Sequence, residues 1–202
     1  KAYKHLMEVY NVNFMIACAT SAMRDAQNGE EIIERVKKET GIAIEIISGN
    51  TEAGLIYENH IAENKSNGNS YLYIDVGGGS TEISIYQKGK LTYKNSFNIG
   101  TIRILKNQVT DNQWDEMRTK IKQETNDKSS KMIAIGSGGN INKVFSLSKK
   151  KEDKPLHIEA LRNYHKELSS VDLRERMQLY KLKEDRADVI IPALLIYFNV
   201  MK

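Results

Sequence analysis

The stretch YIDVGGGSTEISIY, Tyr73 to Tyr86, restricts what this chain can fold into more than any other. An apolar run ends in Asp75; Gly77, Gly78, Gly79, Ser80 and Thr81 follow, and a second strand-like run opens on Glu82. A plain hairpin turn needs one or two glycines and no carboxylate at either end. Three consecutive glycines let backbone N–H groups converge on an anion, because no Cβ blocks the approach and positive φ is open to them. A hairpin also brings Asp75 and Glu82 near each other at its mouth. Two carboxylates beside phosphate-seeking amides would repel phosphate unless a divalent cation lay between them, and oxygen-ligated Mg²⁺ suits that arrangement.

A second glycine loop, IGSGGNINK, places Gly136, Ser137 and Gly138 between a strand and a helix, where a helix N-terminus favours an anion. Its glycine spacing is neither that of a Walker loop nor that of a dinucleotide fingerprint. Two such loops in one chain point to one phosphate-bearing ligand held from two sides. In ISGNTEAGLIY, Glu52 falls in the first turn of a helix. It reads either as an ordinary dipole-favoured acid or as a general base that activates water against a phosphoryl group. In ATSAMRDA, Ser21 and Arg24 follow a strand end, where open α/β sheets bind ligands, and the planar fork of Arg24 could clamp phosphate.

The order of elements indicates an α/β protein in two styles. Residues 1–66 alternate helix and strand as a βαβ unit with a mainly parallel sheet. In that unit FMIACAT, Phe14 to Thr20, reads as a buried strand, with Cys18 as a small buried residue. Residues 67–202 form an antiparallel meander, a strand–turn–helix and a helical tail from His157 to Met201. The seam between the two styles is expected near residue 66.

Composition narrows the partners. A net charge of +4 is dispersed rather than gathered into a stripe, which argues against nucleic acid. No run approaches the roughly 18 apolar residues of a membrane span, so no membrane is expected. A single cysteine excludes an internal disulfide and fits a reducing, cytoplasmic setting. The chain opens on Lys1, mid-helix by pattern, and is expected to lack its natural N-terminus.

Taken together, ATSAMRDAQN, EIISGNTEAGLIY, IDVGGGSTEISI, NIGTIRIL, IGSGGNIN and RADVIIPALLI resemble, in order and spacing, the exopolyphosphatase/guanosine pentaphosphate phosphohydrolase family. The resemblance spans nearly the whole chain. It implies the two-domain, ribonuclease H-like architecture of the actin, Hsp70 and sugar-kinase superfamily, here with its first domain incomplete. It also implies Mg²⁺-dependent removal of terminal phosphate from polyphosphate or guanosine pentaphosphate, in a protein that could pair as a homodimer.

By the same resemblance, Glu52 is the catalytic residue that positions or deprotonates water, and Asp75 and Glu82 hold the metal. Arg24, Gly77, Gly78, Gly79, Ser80, Thr81, Gly136, Ser137 and Gly138 face substrate or shape its cleft. The family's first phosphate loop is absent, so these 202 residues alone are expected to be nearly inactive. Thr51 and Gly54 replace an acid and an arginine common in the family. A kinase of the same superfamily and a non-catalytic alarmone- or polyphosphate-binding protein are the alternatives.

Overall fold

The computed structural model describes residues 1–61, 69–125, 132–151 and 154–202. The expected domain boundary at residue 66 lies outside these. The first part comprises α1 (Ala2–Val9), β1 (Ala17–Ala19), α2 (Ser21–Asp25), α3 (Gly29–Thr40), β2 (Ile44–Ile46) and α4 (Gly49–Ile61). α3 follows its sequence closely: Glu30 and Glu31 occupy the first turn and Lys37 and Lys38 the last, matching the helix dipole. Gly41 then ends it in the left-handed conformation, at φ 75°.

β1 pairs in parallel with β2, as a βαβ unit requires. The expected burial of Phe14–Thr20 is not found. The strand is only three residues long, Phe14 is 84% exposed and Ile16 76%, and Cys18 is exposed. A two-stranded sheet buries residues only where another element lies against it: Ala17, Ala19, Ile44 and Ile46 are half-buried, whereas Cys18 and its partner Glu45 on the other face are exposed, and Phe14 and Ile16 precede the strand.

The second part holds a four-stranded sheet of β3 (Ser70–Val76), β4 (Thr81–Gln87), β5 (Lys90–Phe97) and β6 (Met132–Ser137), in the order β5-β4-β3-β6. β3 is antiparallel to β4 and parallel to β6. As an interior strand it is buried along almost its whole length, which accounts for its nearly continuous apolar run. β5 alternates exposed and half-buried residues, as an edge strand does. Lys88 and Gly89 turn between β4 and β5, both at positive φ, the conformation of a tight hairpin turn.

The helices are α5 (Thr101–Leu105), α6 (Asp111–Glu124), α7 (Gly139–Leu147), α8 (Ile158–Ser169), α9 (Leu173–Leu179), α10 (Glu184–Ala187) and α11 (Ile190–Val200). Thr110 and Gln113 form a reciprocal capping box that starts α6, and Asp172 and Glu175 form one that starts α9. The Asp172 cap falls within the expected helical tail, which is divided into α8, α9, α10 and α11.

One face of the sheet carries Leu72, Ile74, Val76, Ile83 and Ile85 into a core with Met117 and Ile121 of α6 and Ile196 and Tyr197 of α11. Side chains alternate along a strand, so Asp75 and Glu82 fall on the opposite face, the one packed against α4. The second core cluster joins Val144 of α7, Leu161 and Leu168 of α8, and Ile190 and Leu194 of α11. No helix among the described residues is long and apolar enough to cross a membrane.

Tyr197 ties α11 to the ends of two strands. Its hydroxyl lies within hydrogen-bond reach of the carbonyls of Ser137, at 2.9 Å, and Ile74, at 3.3 Å, and burial together with the charge of Asp75 raises its pKa. Tyr197→Phe keeps the ring but leaves these buried carbonyls without their donor, so it is expected to cost about 1–2 kcal/mol in denaturant unfolding. A loss above that range would mean that ring packing had changed as well.

Candidate active site

The hairpin register sets Asp75 directly opposite Glu82, and Val76 opposite Thr81, so the two acids flank the 77–80 loop as expected. Glu82 is only 4% exposed. Its Oε1 accepts a 2.8 Å hydrogen bond from the Ser96 hydroxyl on β5, the residue paired with it in the next strand. Burial is the main reason its pKa is pushed up to about 7; hydrogen bonds from Ser80 and Ser96 oppose this, and the charges of Glu52 and Asp75 add to it. Glu52 is therefore within electrostatic reach of the pair. Three carboxylates share one small region.

Arg24 donates from Nη1 to Glu52 Oε2 at 2.9 Å and to the Ile47 carbonyl at 2.8 Å, and both charged side chains are largely buried. The structure thus places Arg24 on the glutamate. With Nη1 of Arg24 held by the Ile47 carbonyl as well, the charge-assisted bond fixes the orientation of Glu52 at the N-terminal end of α4. Glycines permit the close packing around it: a Cβ on Gly49 would lie 2.6 Å from the Ser96 side chain.

The 77–80 loop is held by backbone bonds on one side. The Gly77 amide donates to the Ser80 carbonyl at 2.9 Å, and the Gly77 and Gly78 carbonyls accept from the amides of Thr101 and Ile102 at 3.0 and 2.9 Å. Gly100 must be glycine, because a Cβ there would sit 2.3 Å from the Gly78 oxygen. The amides of Gly78 and Gly79 donate to no backbone carbonyl among the described residues. Thr81, fully buried, donates from its hydroxyl to the Ile99 carbonyl at 2.6 Å, so it anchors the loop instead of facing a ligand. Ser21 is buried with its hydroxyl unbonded and packs on Gly79, where a Cβ would lie 2.1 Å from its Oγ.

The second glycine loop adjoins the first. Ser137 is the parallel partner of Asp75, and a Cβ on Gly138, at φ 94°, would lie 3.1 Å from Asp75 Oδ1. Gly136 is on the other face, opposite Ile74, and its missing side chain makes room for the Tyr197 ring at 2.9 Å. Its need for glycine is thus packing against α11, and the structure does not bring it to the acids.

The sequence reading missed three side chains here. Ser96 is visible only once the β4–β5 register is known. Arg103 follows the Gly100 turn in NIGTIRIL and donates from Nε to the Gly79 carbonyl at 2.6 Å. Arg186, in RADV, lies over Gly139 and donates to Asn140 Oδ1 at 3.1 Å, at the start of α7.

Chemically, the arrangement offers free loop amides for an anion and a pair of oxygen donors, Asp75 and Glu82, of the kind that hold a hard divalent cation with substrate and water completing its shell. No group of three or more metal-binding side chains occurs among the described residues. The donor set fits a cation bound jointly with a phosphate ligand.

Comparison with known proteins bears on this geometry. The model of the Ppx/GppA phosphatase family matches residues 1–202. A bifunctional 3-dehydroquinate synthase/phosphatase of Fusobacterium nucleatum is 29% identical over all of this chain and 33% of its own length. Exopolyphosphatase 1 of Mycobacterium bovis is 41% identical over 35% of this chain and 20% of its own. The matched segments therefore span a third or less of the length of these curated relatives. The solved structure of an exopolyphosphatase from Cytophaga hutchinsonii superposes with a TM-score of 0.79 at 24% identity, covering 99% of this chain and 71% of that one, and shares its fold.

The buried acid makes stability depend on pH in a defined direction. Between about pH 4.5 and 7 the folded state keeps a Glu82 proton that the unfolded state has released, so ligand-free stability falls as pH rises through that window. Glu82→Gln removes this dependence. Its advantage over the parent protein is expected to grow to roughly 3 kcal/mol above pH 7 and to shrink below pH 5, as read by thermal unfolding without added metal. An advantage that stays constant with pH would contradict the assignment.

Proposed function

The chain belongs to the Ppx/GppA phosphatase family, and from that premise we propose that the protein is a phosphoanhydride hydrolase that removes the terminal phosphate of polyphosphate or the 5′ γ-phosphate of guanosine pentaphosphate. The observation that carries this reading is Asp75 facing Glu82 across the 77–80 loop, with Glu52 within electrostatic reach. The loop amides take the oxygens of the terminal phosphoryl group, which accumulate charge on the way to the transition state. Glu52, held by Arg24, orients the attacking water and accepts its proton. Asp75 and Glu82 would hold Mg²⁺, whose charge offsets that of the substrate phosphates. Gly138, at the N-terminus of α7, borders Asp75 and receives the next phosphates of the substrate.

Glu52→Gln preserves size and its place beside Arg24 but cannot accept a proton. In the full-length protein with Mg²⁺, phosphate release from either substrate is expected to fall by about a thousandfold, while substrate affinity by calorimetry changes little. Undiminished release by the variant would remove Glu52 from the mechanism. Absence of release by the parent protein on both substrates would remove the proposed activity.

A further inference from the structure

The carbonyls of Gly77, Gly78 and Gly79 are taken in order by the Thr101 amide, the Ile102 amide and the Arg103 side chain. In a planar trans peptide the C=O of one residue and the N–H of the next point in opposite directions. Holding these three oxygens toward α5 therefore turns the N–H groups of Gly78, Gly79 and Ser80 the other way, out of the loop. Two of the three carbonyls are held by backbone amides that come with the helix. The third, that of Gly79, depends on one side chain, and it governs the Ser80 amide.

Arg103 is itself fixed from a second direction. Its Nη2 is paired with the Asp25 carboxylate, 78 residues away in the chain, at the end of α2. α2 is five residues long and makes three contacts with the site. Ser21 packs on Gly79, Arg24 holds Glu52, and Asp25 holds the guanidinium that holds Gly79. A charge-assisted bond to Asp25 selects one rotamer of a long side chain that would otherwise sample several.

We propose that Arg103 is a positioning residue for the phosphate loop, set by Asp25, so that one short helix fixes both the orientation of Glu52 and the aim of the Ser80 amide. Its effect on turnover rests on the hydrolase reading; its effect on the loop does not. The test compares full-length parent protein with Arg103→Gln, Asp25→Asn, Arg103→Lys and the double variant, by hydrogen–deuterium exchange of peptides covering residues 99–106, whose Thr101 and Ile102 amides are protected by the loop carbonyls, and by phosphate release with Mg²⁺.

Arg103→Gln is expected to speed exchange of the Thr101 and Ile102 amides, which are bonded to the loop, about tenfold and to lower kcat by a similar factor. Asp25→Asn, a change at an exposed carboxylate, leaves the Gly79 bond in place and is expected to give about a threefold effect on both. The double variant is expected to match Arg103→Gln, because Asp25 acts only through Arg103. Lysine lacks the fork that reaches Gly79 and Asp25 together, so Arg103→Lys is expected to do no better than Asp25→Asn. Unchanged exchange in Arg103→Gln, or single effects that add in full in the double variant, would overturn the proposal. A parent protein that releases no phosphate would overturn the hydrolase reading, while the exchange data would still decide the coupling.

Discussion

No side chain fits between Gly100 and the backbone of Gly78 and Gly79, and the candidate site depends on that close approach. It lets the first amides of α5, which no intrahelical carbonyl serves, find partners in the loop carbonyls. The helix is capped and the loop is oriented by the same bonds. The cost is that the amides of Gly78 and Gly79 are left without backbone acceptors among the described residues, which is tolerable only at a surface that meets water or an anion. The glycines are therefore needed twice, for the packing on α5 and for the opening opposite it.

The acids impose the complementary constraint. Strand alternation sends Ile74 and Ile83 into the helical core and sends Asp75 and Glu82 to the face shared with α4. Burial and two neighbouring carboxylates work against an ionised Glu82, and two serine hydroxyls only partly compensate. A local arrangement this unfavourable in the ligand-free protein is what a functional site tends to look like. Under the proposed function, a phosphate with its cation would relieve both strains at once, by giving the amides acceptors and the carboxylates a counter-charge.

Much of this was legible in the residues. The facing of Asp75 and Glu82 follows from a hairpin folded about its glycines, because strand geometry leaves little choice of partner. The limits of α3 follow from Glu30, Lys37 and Gly41 in the same way. Contacts between distant elements were not legible. No local pattern pairs Arg24 with Glu52, 28 residues on, and Arg103 meets Asp25 only because α2 lies against the loop. Gly136 looked like part of a ligand loop, yet it makes room for a tyrosine 61 positions later. The apolar run through Phe14 and Ile16 signalled burial, but burial needs a covering layer, and a local pattern cannot supply one.

The central claim is that water, oriented at Glu52, attacks the terminal phosphorus held at the 77–80 loop. Hydrolysis of polyphosphate by the full-length protein in water enriched in oxygen-18 tests it most directly. The account predicts that the label enters the released orthophosphate and is absent from the shortened chain. Label in the shortened chain would place the attack on the penultimate phosphorus, and release of unlabelled phosphate would show that water is not the attacking group; either result would contradict the account.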